Sequence, residues 1–128
     1  MITDNSLEEI TGTVWGNPNY DSSLIIRCHQ LRKKKLKTFT VEDFRIMIGQ
    51  EIDIDILIPI ALKILSNNPL AEGDYYPGDL LNNVLRINKK YWAKNTESLN
   101  HIKNILKNLK SIPAELNDAY NSFRKFNK

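Results

Sequence analysis

Phe39-Thr40-Val41-Glu42-Asp43-Phe44-Arg45-Ile46-Met47-Ile48-Gly49 carries the clearest local instruction in the chain. Thr40 is a good N-cap, because its hydroxyl can accept a hydrogen bond from an unpaired backbone N–H of a first helical turn. Asp43, three residues on, is a shorter counterpart of the capping-box glutamate. Phe39 before the cap and Phe44 after it stand where a hydrophobic staple places its two residues. Val41, Phe44, Met47 and Ile48 recur at helical spacing, and Gly49 suits a terminator. The stretch predicts a helix to about Ile48, buried on that face.

Upstream, residues 1–20 read as an irregular arm. Gly12, Gly16 and Asn17-Pro18-Asn19 are turn formers. Val14, Trp15 and Tyr20 are expected to tuck the arm against the body. Asp21 is the expected cap of a helix running to about Lys34, with Leu24, Ile25, Cys28 and Leu31 on one face. Its basic end, Arg32 to Lys35, lies where a helix C-terminus favours cations.

Downstream, Glu51-Ile52-Asp53-Ile54-Asp55-Ile56 alternates like a strand, whereas Ile56 to Leu65 is apolar nearly all round, like a buried helix. Proline is tolerated in a first turn and not in a helix interior. Pro59 therefore predicts a helix starting near Ile58, led in by the acidic alternation. Residues 66–79 read as a loop. Leu80, Leu81, Val84 and Leu85 mark a short helix, and Asn88 caps a further turn with Tyr91 and Trp92. Residues 96–126 predict a helical hairpin. Its first arm, capped by Asn95 or Thr96, carries Leu99, Ile102, Leu106 and Leu109 on one face. Ser111-Ile112-Pro113 breaks it, with Pro113 in the first turn of an arm carrying Leu116, Ala119, Tyr120 and Phe123. The expectation is an all-α protein: one compact domain over 1–128, a bundle of about six helices with an irregular N-terminal arm.

Composition agrees with such a fold. The 128 residues suit one domain, and 41% hydrophobic with 26% charged residues suits a globular core. The first ten residues hold Asp4, Glu8 and Glu9 and no apolar run, so no secretion signal is expected. The longest apolar stretch, Ile54 to Leu65, contains Asp55, Pro59 and Lys63, and is shorter than the roughly 20 residues of a membrane span. A cytoplasmic location and no membrane partner follow as expectations. A single cysteine, Cys28, rules out an internal disulfide and any multi-cysteine metal site.

Net charge is +3, unevenly spread. Residues 1–85 hold 8 basic and 12 acidic side chains, a balance of −4, while residues 86–128 hold 10 basic and 3 acidic, a balance of +7. Segment 42–79 alone stands at −6. An acidic middle and a basic tail make two electrostatically distinct faces available.

The search for chemistry is mostly negative. Cys28 and His29 are adjacent on a predicted helix, about 100° apart around its axis, a poor placement for a nucleophile and its base. A half-buried core thiol is the favoured reading. His and Cys are too few for a zinc site, and there is no P-loop or GxGxxG. The run Arg32 to Lys37 could contact phosphate, but a solvated helix end explains it better, and no aromatics interleave with it. Asp53 and Asp55 lack a third partner for a cation. The loop Glu72-Gly73-Asp74-Tyr75-Tyr76-Pro77-Gly78-Asp79 gathers three acids and two tyrosines, a composition that suits a protein interface and, equally, an ordinary loop packed by its tyrosines.

A longer pattern joins these pieces. Leu7-Glu8-Glu9-Ile10-Thr11-Gly12 with Trp15-Gly16, Tyr20-Asp21-Ser22, Cys28 to Lys34, Phe39 to Gln50 and Pro69 to Leu81 resemble the immunity proteins of contact-dependent growth inhibition (CDI) systems. The resemblance covers roughly residues 7–93; nothing in the C-terminal hairpin contributes to it. It implies a cytoplasmic, non-catalytic protein that binds the C-terminal domain of a cognate CDI toxin, commonly a nuclease, and covers its active site or substrate surface. It implies no cofactor, no metal and no catalytic residue. The charge distribution adds candidate toxin contacts: Glu51, Asp53, Asp55, Glu72, Asp74 and Asp79, with Tyr75 and Tyr76 as anchors. A net basic chain is a departure from a pure polyanion mimic. The rival readings are a small nucleic-acid-binding module using the basic 32–37 run and the C-terminal third, and an enzyme using Cys28 or the Asp53/Asp55 pair. The lack of interleaved aromatics counts against nucleic acid.

Overall fold

In the computed structural model, which describes residues 4–17 and 22–127, Thr40 and Asp43 form the capping box that the sequence encodes. The Thr40 hydroxyl accepts from the Asp43 N–H at 3.1 Å, and the Asp43 carboxylate accepts from the Thr40 N–H at 3.0 Å. Phe39 and Phe44 close the staple edge to face at 5.2 Å. The helix so started is α3, Val41–Gly49, preceded by α1, Leu7–Thr11, and α2, Ser23–Lys33. After it come α4, Ile54–Asn67, α5, Asp79–Leu85, α6, Lys89–Lys94, α7, Thr96–Lys107, and α8, Asn117–Phe126. Two 3-10 turns, Leu36–Thr38 and Ala114–Leu116, complete the set, and the described residues contain no strand. The class is all-α, with eight α-helices where the sequence predicts about six.

The additional helices are short. The arm contains α1, whose Ser6 and Glu9 make a full capping box and whose end is Gly12 at φ 72°. Leu7 is fully buried, and the Leu36 N–H donates to the Asn5 carbonyl at 3.0 Å, so the arm is anchored along its first half. Val14, by contrast, is exposed rather than tucked in. Tyr20 and Asp21 lie outside the described residues. The cap observed for α2 is Ser22, whose hydroxyl accepts from the Ile25 N–H.

Helix α4 corrects the reading of residues 51–65. It starts at Ile54, four residues before the expected point, and Pro59 lies in its interior. The missing proline amide falls on the carbonyl of Asp55, an exposed residue near the helix start. Leu57, Ile58, Ala61, Leu62 and Leu65 are all fully buried. At about 1.5–3 kcal/mol for each large side chain, this apolar face outweighs one lost hydrogen bond.

The core lies between α3, α4 and α5. Helix α3 packs on α5 and α4, and α2 packs on α1 and α3. Gly49 works by size: a Cβ there would stand 2.7 Å from the Asn83 amide nitrogen, which donates to the Arg45 carbonyl. The expected C-terminal hairpin is not a tight pair. Helix α7 packs chiefly on α4 and α6, while α8 packs on α5. Trp92 of α6 meets Phe123 of α8 edge to face at 5.6 Å. Pro113 precedes the 3-10 turn, so α8 begins four residues later than a proline-led start implies.

Candidate functional site

The acidic loop is built from α3 outward. Glu42, in its first turn, accepts from Arg45 through both oxygens, at 2.6 and 2.5 Å. The first of those oxygens also accepts from the Asp74 N–H at 2.8 Å. The Arg45 hydrogen bond, helped by the Asp74 amide and the guanidinium charge, holds the Glu42 carboxyl below the usual glutamate range despite partial burial. Asp79, the first residue of α5, is 2% exposed and turned back into the loop. Its two oxygens accept from the Gly73 N–H at 2.7 Å and the Tyr75 N–H at 3.1 Å. Gly73 admits no larger residue, since a Cβ would collide with the Glu42 carboxylate. Gly78 turns the chain into α5 at φ 91°.

Two carboxylates thus hold three consecutive loop amides from inside, and the outside of the loop is presented ready formed. Glu72, Asp74 and Tyr75 are exposed, Tyr75 at 69%. The Tyr75 ring rests on the Arg45 guanidinium, 4.4 Å from ring centre to carbon. Tyr76 is half-buried and packs against the core. Of the expected contacts in this loop, Asp79 is therefore internal, and Glu72, Asp74 and Tyr75 face outward.

Glu51, Asp53 and Asp55 sit past the other end of α3. From Glu42 to Gly49 the helix rises roughly 10 Å, and Glu51 lies two residues beyond its end. Glu51 (φ 54°) and Asp53 (φ 51°) both adopt left-handed backbone, a conformation that costs non-glycine residues about 1–3 kcal/mol each. Glu51 accepts from the side chain and backbone of Asn88. Asp53 accepts from Arg32 at 2.9 Å. Asp55 is exposed in the first turn of α4. The eight candidates thus form two groups, with Glu51, Asp53 and Asp79 already engaged within the fold.

Arg32, Lys34 and Lys37 of the basic run take structural roles, while Lys33 and Lys35 are exposed. Arg32, 1% exposed, ties the arm down: besides Asp53 it reaches the Thr13 carbonyl at 2.7 Å and the Thr11 hydroxyl at 2.9 Å, and lies 4.7 Å from the Trp15 ring centre. Lys34 and Arg27 both bind buried Asp43, at 2.6 and 2.9 Å, and Lys37 pairs with Asp4. Burial pushes the Asp43 carboxyl up, but hydrogen bonds from Lys34 and the Thr40 amide, with the Lys34 and Arg27 charges, outweigh it and leave it below the usual range. Composition could not separate these cations from solvated ones; Arg27, far upstream of the Thr40 cap, carried no local signal at all.

The Cys28 thiol is buried, and burial raises its pKa, as suits a core thiol. His29 turns to the Gly16 carbonyl at 3.1 Å and the Trp15 ring. No group of three or more metal-ligating side chains gathers among the described residues, and none of their helices is long and apolar enough to cross a membrane.

Residues 9–102 match the family model of CDI immunity proteins. The chain belongs to that family. No curated protein matches it. The matched span takes in both acidic groups of this CDI immunity protein and the Arg32 and Asp43 hubs, and it ends inside α7, leaving α8 beyond it. An immunity protein acts by binding a CDI toxin.

Proposed function

We propose that this immunity protein neutralises its cognate toxin as a stoichiometric inhibitor, without catalysis, by laying the acidic surface around α3 over the substrate-binding face of the toxin's C-terminal domain. The observation that carries this is the preformed loop 72–78. Glu42 and Asp79 hold its amides from within, so Glu72, Asp74 and Tyr75 are presented without further ordering. Preorganisation reduces the entropy lost on binding. The toxin is a nuclease in this reading, because a surface that grips phosphates is basic and complements carboxylates. Glu51 and Asp55 extend the same field from the far end of α3. The helical rise of roughly 10 Å between the two groups lies well within a standard interface of about 800 Å² per partner. Carboxylates steer the encounter, and Tyr75, backed by Arg45, acts as the anchor. The site of action is the cytoplasm, where an incoming toxin meets its substrate.

Co-expression with the adjacent toxin reading frame identifies the partner, and binding kinetics test the surface. The double substitution Glu72→Lys with Asp74→Lys is expected to slow association at least tenfold at low salt, with a smaller effect at high salt. Tyr75→Ala is expected to speed dissociation, at a cost of about 2 kcal/mol. Unchanged association and dissociation in both variants would remove this loop from the interface. A toxin without nuclease activity would overturn the nuclease part alone.

A further inference from the structure

The splay between α7 and α8 leaves grooves beside α8. One groove, of about 670 Å³, runs between the two helices and carries Lys103, Lys107, Arg124 and Lys125 with no carboxylate in its lining. A second, of about 990 Å³, lies on the opposite side of α8, with Arg86, Lys89 and Lys90 against a single acid, Asp118. Phe123 and Asn127 line both, so the two grooves flank one helix. No ion pair among the described residues involves any of these seven cations.

Aromatic rings interleave with the cations in space, although sequence spacing hides it. Lys89 Nζ stands 3.0 Å from the ring centre of Phe126, which is half exposed, and Lys125 approaches the same ring at 5.7 Å. Arg124 lies 5.3 Å from the ring of Tyr120. This corrects the expectation that the basic third lacks interleaved aromatics. Trp92 lines the larger groove, and its buried indole N–H finds no acceptor among the described residues.

We infer that the α6–α8 face binds single-stranded nucleic acid, with phosphates on the lysines and arginines and bases against Phe126 and Tyr120. Charge selects a polyanion. Rings standing beside the cations favour nucleic acid over an acidic protein, because a base stacked there brings its own phosphate to the same lysine. The site uses other side chains than the toxin-binding reading, although Asn88, which lines the larger groove, also donates to Glu51; α8 is beyond the family match.

The test is fluorescence anisotropy of the full-length protein with a labelled mixed-sequence single-stranded RNA of about 12 nucleotides, set against a poly-glutamate peptide of equal length. Saturable RNA binding that weakens linearly in logarithmic salt is expected. Lys107→Gln with Lys125→Gln should flatten the salt slope by about 1.4. Phe126→Ala should weaken binding about tenfold, while Phe126→Tyr, which keeps the ring, restores it. Circular dichroism melting of each variant separates lost binding from lost fold. Absent binding at low salt, equal affinity for poly-glutamate, or an unaffected Phe126→Ala in a folded protein would each overturn the proposal. All these variants should still neutralise toxin.

Discussion

Arg27, Arg32, Lys34, Lys37 and Arg45 each reach a carboxylate at 2.5 to 2.9 Å, whereas from Arg86 to Lys125 no described cation does. The two regions use the same residue types for different ends. In the first, positive charge is consumed inside the fold: Asp43 draws two cations under the start of α3, Arg32 staples the arm, and Arg45 underlies the acidic loop. Lys33, Lys35 and Lys63 stay outward there without an ion pair among the described residues, beside the exposed acids of the loop and of the far end of α3. In the second, positive charge stays at the surface around two grooves. Equal residue types are thus spent differently: most cations of the acidic part are paired with carboxylates, and those around the grooves are not.

The largest expected effect tests the paired region. Asp43→Ala removes the α3 cap and the partner of Lys34 and Arg27, and should lower unfolding free energy by about 3 kcal/mol in a denaturant titration. A loss below about 1 kcal/mol would break the comparison at its strongest point. Arg32→Met keeps the apolar stem but abandons two carboxylate and hydroxyl contacts and a carbonyl. It should cost about 2 kcal/mol and speed proteolysis between Thr11 and Asn17.

A smaller effect sharpens the contrast through pH. The carboxyls of Asp43 and Glu42 lie below their ordinary values of 3.8 and 4.5 in the folded protein. Groups with lowered folded pKa stabilise fully above the unfolded value and lose that contribution as pH falls through the folded one. Thermal stability should therefore hold from neutral pH to about 5 and fall below about 4. Asp43→Asn should flatten that fall. The smallest effect belongs to the unpaired region: Lys103→Gln, Lys107→Gln and Lys125→Gln together should change stability by no more than about 0.5 kcal/mol.

Much of the fold was legible because its signals are local. The Thr40–Asp43 cap, the Phe39–Phe44 staple and the Asn88 cap of α6 each involve residues within a few positions of one another. Helix α1 escaped the reading of an irregular arm, because five residues show no periodicity and its only signal is the Ser6–Glu9 cap. Pro59 misled because a proline penalty is a local rule, and α4 is decided by burial against distant helices. At the candidate site, the exposed acids and Tyr75 could be read from composition. That Asp79 faces inward could not, since its partners are defined only once loop 73–75 folds over it. The cation–ring contacts of α8 escaped for the same reason: Lys89 and Phe126 are far apart in the chain.

The two tryptophans of the chain occupy opposite situations. Trp92 is 1% exposed in the core, between Tyr91 and Phe123; Trp15 is 40% exposed, on the arm that Arg32 holds. The molecule therefore carries two intrinsic fluorophores that report on different events. With Trp92 replaced by Phe, emission follows the arm alone, and with Trp15 replaced by Phe it follows the core. A red shift of Trp15 that precedes that of Trp92 on heating would time the release of the arm as a separate opening, seen without an added dye.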